Sequence, residues 1–230
     1  MIVDDHVMVR EGVAELINRE PDMMACCGAA SVDEALNLIQ CSQSEPGCCG
    51  GATASASSVL PDMVIVDLTL NGVSGQELIR MLKSRYPHVP ALVMSMHDEN
   101  LHAERALRAG AKGYIMKHEA FDQVLVAIRQ VLRGEIYLSE RMRTKLLQRL
   151  LNPEATPDSS PLSRLSDREL EVMRFTGAGL TIGEIAEKLH RSIKTIEANR
   201  AQIKEKLNLK SNNDFLRFAV QWVASETEAS

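Results

Sequence analysis

The sequence predicts two domains: an α/β domain built on a doubly wound, five-stranded parallel sheet, then a small all-α domain. Three observations predict this. Short apolar runs alternate with amphipathic segments through the first half of the chain. The stretch "NPEATPDSSP" (residues 152–161) holds three prolines and no large apolar residue, which is linker composition. Beyond it everything reads as short helices.

Five runs supply the strands: "MIV" before Asp4, "MMACCG" (23–28), "DMVIVD" (62–67), "ALVMSM" (91–96) and "GYIM" (113–116). Near-continuous apolar runs of this kind fit parallel strands covered on both faces. Between them, helical spacing joins Val9, Val13, Leu16 and Ile17, then Ala35, Leu38 and Ile39, then Leu78, Ile79 and Leu82. Ala103, Ala106 and Leu107 make a fourth face, and Val124, Ile128, Val131 and Leu132 a fifth. The connection "CSQSEPGCCGGATASASS" (41–58) is longer than the usual helix-to-strand loop and is expected to be flexible. The expected domains are residues 1–133, a linker with a helix over 134–161, and residues 162–230. In the last of these, Ser166 with Glu169 and Thr181 with Glu184 have the spacing of capping boxes.

Composition bounds the function. The 230 residues are 45% hydrophobic and 25% charged, as in an ordinary soluble globular protein. Aromatics make up only 3%, so the core must rest on Leu, Val, Ile, Ala and Met. No run approaches the ~20 apolar residues of a membrane helix and no secretory pattern is seen, so no membrane contact and a cytoplasmic location are expected. The net charge is −5, yet residues 191–210 carry six bases against two acids, a local +4.

Ligands of open α/β sheets sit at the carboxyl ends of the strands, where strand order reverses. Asp4 and Asp5 end the first strand and Asp67 the third, and a 2-1-3-4-5 order makes those strands neighbours. Three converging carboxylates repel one another unless a hard cation such as Mg2+ neutralises them. Ser95 ends the fourth strand and Lys117 follows the fifth, adding a hydroxyl and an ammonium to the same rim. This set suits phosphoryl chemistry: a carboxylate attacks the donor, Mg2+ and Lys117 spread the developing charge, and Ser95 hydrogen-bonds the product. Singly, each has a bland alternative, with Asp5 as a helix cap, Asp67 as a turn opener and Lys117 as a surface base. Five such residues at the ends of four strands favour the chemical reading.

The fragments "VDDH", "VDLTLNGVSG", "VMSMHD" and "GAKGYIMK" resemble the receiver domain of bacterial two-component response regulators, over residues 1–133. The resemblance implies a flavodoxin-like (βα)5 receiver with Asp67 as phosphoacceptor. It implies that Asp4, Asp5 and Asp67 hold Mg2+ and that Thr69 offers its backbone carbonyl to the metal. It also implies that Lys117 contacts the phosphoryl group and that Ser95 and Tyr114 form a switch pair. In that switch Ser95 moves toward the phosphoryl group and the Tyr114 ring fills the space from a more exposed position. Three departures stand out. Only three residues precede Asp4, so a truncated start is expected. Asn71 replaces a usual proline, which predicts a less rigid loop, and the 41–58 insertion is atypical.

The stretch "LTIGEIAEKLHRSIKTIEANRAQIKEKLNLKS" (180–211) reads as helix, tight turn, helix. Ile185, Ala186 and Leu189 face Ile196, Ile203 and Leu207, and Ser192 caps the second helix. Lys194, Glu197, Ala198, Ala201 and Glu205 then point away from the body, as on a helix that enters a major groove. A solvated charged face on a small bundle is the other reading of these residues. Residues 162–224 as a whole resemble the LuxR-type helix-turn-helix of the NarL/FixJ family. The resemblance implies base readout by Glu197, Ala198 and Ala201, with phosphate contacts from Lys194, Thr195, Arg200 and Lys204. It implies a dimer contact on the last helix, through Leu216 and Val220; packing within the domain is the alternative.

The five cysteines are an odd count without an export signal, which argues against a disulfide framework. Cys41, Cys48 and Cys49 read as plain thiols of a loose loop, while Cys26 and Cys27 are expected in a strand, one of them in the core. The function expected is a DNA-binding transcriptional regulator controlled by phosphorylation of Asp67. Its expected partners are double-stranded promoter DNA, a sensor histidine kinase or phosphotransfer protein, and a second copy of itself when phosphorylated or DNA-bound. No catalysis is expected beyond slow hydrolysis of its own phosphoaspartate. Two alternatives stand beside it: a haloacid-dehalogenase-like phosphohydrolase with Asp67 as nucleophile, and a phosphorylation-independent DNA binder. Against the first, Thr69 stands where those enzymes usually place a second acid.

Overall fold

A computed structural model of the protein describes residues 1–44, 60–70, 73–96, 99–119, 121–151, 161–189 and 191–228. The chain divides into two compact units, Met1–Glu140 and Arg141–Ser230. In the first unit the parallel strands are β1 (Ile2–Val3), β2 (Gly28–Ala29), β3 (Val64–Val66), β6 (Ala91–Ser95) and β7 (Gly113–Met116). They lie in the order β2-β1-β3-β6-β7, which is the expected 2-1-3-4-5 arrangement. A separate antiparallel pair, β4 (Thr69–Leu70) and β5 (Val73–Ser74), follows β3.

Alternation along the strands divides the core. Ile2, Ile65, Leu92, Met94 and Ile115 form one apolar cluster with Val13 and Ile17 of α1 (Val7–Asn18) and Val124 and Ile128 of α5 (Phe121–Leu132). Val3, Val64, Val66 and Val93 take the opposite parity and are buried as well. The remaining helices are α2 (Val32–Ser44), α3 (Gly75–Arg85) and α4 (Glu99–Ala109), and they bury Ala35, Ile39, Leu78, Ile79, Leu82, Ala103 and Ala106. Truncating a fully buried Leu92 or Leu78 to alanine would cost about 2–5 kcal/mol. Each helix face read from the spacing reappears, except that Leu132 is exposed.

The second strand departs from expectation. Residues 23–27 carry no strand; pairing begins at Gly28. This is an edge strand with one neighbour, and the Ala25 amide donates to the Asn18 side chain at 2.8 Å instead of entering a ladder. Met24 and Cys26 are exposed and Cys27 is half-buried, so neither cysteine is in the core. The β4–β5 pair was not expected either, although Asn71-Gly72 between its strands is a favoured composition for a two-residue hairpin. Of the flexible loop read over residues 41–58, residues 41–44 with Cys41 belong instead to α2 (Val32–Ser44). Residues 45–58 with Cys48 and Cys49, the loop rigidity read from Asn71 and the linker 152–160 lie outside the described residues.

After α5, Tyr137 bridges to Gly113 and its side chain joins the core cluster, so this unit runs on to Glu140. Glu99 at the start of α4 accepts the Ser139 amide at 3.1 Å and its hydroxyl as well. Beyond lie α6 (Glu140–Leu151), a 3₁₀ turn (Pro161–Arg164), α7 (Asp167–Gly177), α8 (Ile182–Lys188), α9 (Ile193–Lys206) and α10 (Asn212–Glu228). Both capping boxes form, Ser166 with Glu169 and Thr181 with Glu184. Leu170, Met173, Ile185, Leu189, Ile196, Ile203 and Phe215 make the core of this unit. Gly177 is required by packing: a Cβ there would lie 2.4 Å from the Ala219 carbonyl oxygen of α10. Among the described residues no helix is long and apolar enough to cross a membrane.

Candidate functional site

Parallel pairing sets the carboxyl ends of β1, β3, β6 and β7 side by side. The Asp67 amide donates to the Val3 carbonyl at 2.8 Å and the Lys117 amide to the Ser95 carbonyl at 2.8 Å. The residues that follow the strands therefore converge. Asp4, Asp67 and Ser95 are almost wholly buried, at 1%, 3% and 0% exposure. Lys117 Nζ lies 2.7 Å from Asp4 Oδ2 and 2.7 Å from Asp67 Oδ2. Asp67 Oδ1 accepts the Thr69 amide at 3.3 Å. The bland reading of Asp5 is not realised, since His6 takes the N-cap position of α1 and no side chain caps it.

Two carboxylates, Asp4 and Asp67, share one buried ammonium, and the electrostatics show the imbalance. Burial pushes the Asp67 carboxyl above its ordinary range, with the Asp4 charge adding to it, although Lys117 pulls the other way. Burial would lower the Lys117 ammonium, but Asp67 and Asp4 outweigh it and hold it above its usual value. Potential ligand atoms of Asp4, Asp5, His6 and Asp67 lie within 4.8 Å of one another. Asp4 Oδ2 and Asp5 Oδ1 are buried and accept no well-aligned hydrogen bond, despite the nearby Lys117 ammonium and His6 ring. Hard carboxylate oxygens converging in an anionic pocket fit a hard divalent cation.

Three residues of this site escaped the sequence reading. The exposed His6 ring sets Nδ1 2.8 Å from Asp5 Oδ1 and 3.3 Å from Asp4 Oδ1. Arg10 donates to the Asp4 carbonyl at 2.6 Å and so fixes the turn out of β1. Gly75 opens α3 directly against the Asp67 backbone, where a Cβ would fall 1.9 Å from the Asp67 carbonyl oxygen. Only Gly75 had a visible signal, as a glycine beside the helix-capping Ser74. Tyr114 differs from expectation: its ring is fully buried, so it has no exposed starting position.

The second cluster lies on α9. Ser192 caps it by accepting the Thr195 amide, and Ile196 and Ile203 turn inward. Lys194, Thr195, Glu197, Ala198 and Ala201 are exposed, as the helical period requires. Arg200 and Lys204 are half-buried and engaged. The Arg200 guanidinium sits 5.0 Å from the centre of the Phe215 ring, and burial there lowers its pKa, Glu197 opposing. Lys204 Nζ donates to Asn212 Oδ1 at 2.8 Å. On α10, Phe215 and Ala219 are buried whereas Leu216 and Val220 are 44% and 46% exposed, so the two apolar pairs lie on different faces.

Comparison with known proteins finds relatives of both units. Residues 1–129 match the family described as response regulator receiver domain, and residues 163–219 match bacterial regulatory proteins of the luxR family. The oxygen regulatory protein NreC of Staphylococcus carnosus is 33% identical over 225 residues, 96% of each chain. Its namesake from Staphylococcus haemolyticus is 32% identical over the same coverage. Among solved structures, a LuxR-family two-component response regulator from Aurantimonas shares 30% identity, with a TM-score of 0.54, over 66% of this chain and 96% of that one. RcsB of Salmonella enterica serovar Typhimurium, solved bound to a promoter in the presence of phosphomimetic BeF3-, has a similar fold. Its TM-score is 0.61 at 22% identity, over 95% of this chain and 96% of that one.

Proposed function

The chain belongs to the NarL/FixJ family of response regulators, and we propose that phosphorylation of Asp67 is the event that controls it. It is a DNA-binding transcription regulator under phosphorylation control and not an enzyme of the usual kind, which sets aside the phosphohydrolase reading. The observation that carries the assignment of Asp67 is the Lys117 ammonium shared between Asp67 and Asp4, 2.7 Å from each. A buried carboxylate kept beside a fixed cation is a nucleophile whose product charge is already provided for.

In the reaction, an Asp67 carboxylate oxygen attacks the phosphorus of the donor. The bond to the donor's leaving group breaks, and an acyl phosphate forms on Asp67. Lys117 pulls the Asp67 carboxyl toward its ionised form, against its burial, and then pairs with the phosphoryl oxygens. Asp4, Asp5 and Asp67, with the Thr69 backbone carbonyl, would hold Mg2+, which when bound supplies the positive charge that three carboxylates and a phosphoryl group require. Ser95 donates its hydroxyl to the phosphoryl group. Because Tyr114 is already inside, the response is a repacking around a buried ring. Water slowly hydrolyses the acyl phosphate and returns the protein to its resting state.

A sensor histidine kinase or phosphotransfer protein is the donor, in the cytoplasm. The α9 helix enters the major groove of promoter DNA, with Glu197, Ala198 and Ala201 at base edges and Lys194, Thr195, Arg200 and Lys204 at phosphates. Leu216 and Val220 pair two copies. Incubation with acetyl phosphate and Mg2+ tests the central assignment. One phosphoryl group should appear on the wild type and be lost on chelation. Full labelling of Asp67→Asn would overturn the assignment.

A further inference from the structure

Two adjacent thiols at the edge of the parallel sheet have no part in either site. Cys26 is exposed and Cys27 half-buried, on the segment leading into the edge strand β2. Neighbours in an extended strand point to opposite faces. Here the two sulfurs lie 3.5 Å apart, in hydrogen-bonding contact. That contact with Cys27 holds the Cys26 thiol well below the ordinary thiol range, with burial opposing it. The thiolate is the nucleophilic form, and a second thiol in reach lets a sulfenic acid resolve to a disulfide.

We propose that Cys26 and Cys27 form a reversible oxidation site, at which a peroxide converts the dithiol to a vicinal disulfide. The Cys26 thiolate attacks one peroxide oxygen, the O–O bond breaks, and Cys26 becomes a sulfenic acid as hydroxide departs and takes a proton to become water. The Cys27 thiol, losing its proton, then attacks the Cys26 sulfur. The S–O bond breaks and a second water leaves. In all, the dithiol gives up two electrons and two protons, and one hydrogen peroxide becomes two waters. Successive Cα atoms are about 3.8 Å apart, closer than the roughly 4.4 Å or more that relaxed disulfides span. The Cys27 carbonyl also accepts the Ile2 amide at 3.0 Å, so closing the ring works against the β1–β2 pairing. A strained, exposed disulfide is readily reduced, which makes the site reversible by a thiol reductant.

The test uses full-length protein carrying Cys41→Ser, Cys48→Ser and Cys49→Ser, so that only this pair remains. One equivalent of hydrogen peroxide should remove the mass of two hydrogens, mapped within one chain to the peptide holding both cysteines and restored by dithiothreitol. Adding Cys27→Ser should stop the reaction at a Cys26 sulfenic acid that a cyclic 1,3-dione traps, and adding Cys26→Ser should give no trapped product. The proposal fails if both thiols of protein folded by circular dichroism stay free to alkylate after peroxide. It also fails if the disulfide joins two chains, or if Cys27 is trapped equally well when Cys26 is absent.

Discussion

The acidic pocket and the basic helix both gather charge, but they are built in opposite ways. Asp4, Asp67 and Lys117 come from three strand ends far apart in the chain, and their side chains are 1%, 4% and 7% exposed. Lys194, Thr195, Glu197, Ala198 and Ala201 come from a few turns of one helix and face solvent. Buried charges depend on one another, because removing one partner leaves another unpaired in a poorly hydrated place. Exposed charges are solvated whether paired or not. The pocket is therefore tied to the stability of its unit, and the α9 surface is free to vary at little cost to its own.

The largest expected effect separates the two at once. Asp67→Asn should abolish phosphoryl incorporation, yet in metal-free buffer it should raise the urea midpoint. Burial first, with the Asp4 charge, holds the folded-state pKa of Asp67 above its unfolded value, against the opposing pull of Lys117. The folded protein then keeps a proton that the unfolded chain has lost, and stability falls as pH rises through that window. The gain should be full at neutral pH and vanish below the unfolded carboxylate pKa. Urea titrations on either side of the window check this, and a lowered midpoint at neutral pH would show that the pocket is not under charge strain.

Removing the cation should have the reverse effect. Lys117→Ala leaves two buried carboxylates facing each other and is expected to cost about 3–5 kcal/mol in metal-free buffer. Saturating Mg2+ should recover part of that loss, since ligands that bind only the folded state add stability by mass action. An equal loss with and without the ion would remove the carboxylate pocket as its binding place.

A smaller effect tests Glu169, a buried charge of the second unit. Glu169 is 2% exposed, accepts the Ser166 amide at 2.6 Å and meets Lys206 Nζ at 2.7 Å. Burial pushes its carboxyl up, but Lys206 and Ser166 outweigh burial and hold it below the ordinary range. Its contribution is present above the unfolded pKa and lost as pH falls through the folded one. Glu169→Ala should cost about 1–2 kcal/mol at neutral pH. Thermal unfolding of the two proteins should converge in acid.

The smallest stability effects belong to α9, where binding is the readout. Lys194→Ala and Arg200→Ala should each flatten the salt dependence of DNA binding by about 1 in slope. They should differ in stability: within about 0.5 kcal/mol for Lys194, and a loss of about 0.5–1 kcal/mol for Arg200, whose guanidinium covers Phe215. Changing Glu197 or Ala198 should alter the preferred sequence and leave the melting temperature in place. If Arg200→Ala loses stability but keeps its salt slope, its role is packing rather than phosphate contact.

The ease of reading the two regions follows from the same contrast. On α9 the helical period alone separates Ile196 and Ile203 from the exposed residues, and Ser192 marks the start. The capping boxes at Ser166 and Thr181 were legible because each is complete within four residues. In the pocket, Asp4, Asp5, Asp67, Ser95 and Lys117 were legible as residues just past apolar runs, once strand order was assumed. His6, Arg10 and Gly75 were not, since their meaning lies in what crosses the chain to meet them. The second strand was misread for a related reason. Apolar residues 23–27 look like a strand, but at a sheet edge Asn18 competes for the Ala25 amide.

By itself the sequence determined what local periodicity and short-range hydrogen bonding decide: helix faces, caps, most strand positions and the order of the two units. Those features depend on residues within a turn or two of one another, where spacing is conformation. Only the tertiary structure decided that Tyr114 is buried, that Arg200 stacks on Phe215, and that Cys26 and Cys27 meet at an exposed edge. Such outcomes depend on which surfaces come together after the sheet closes and on how much water remains there. Burial and proximity across the fold, not residue type, set the charge and reactivity of those groups.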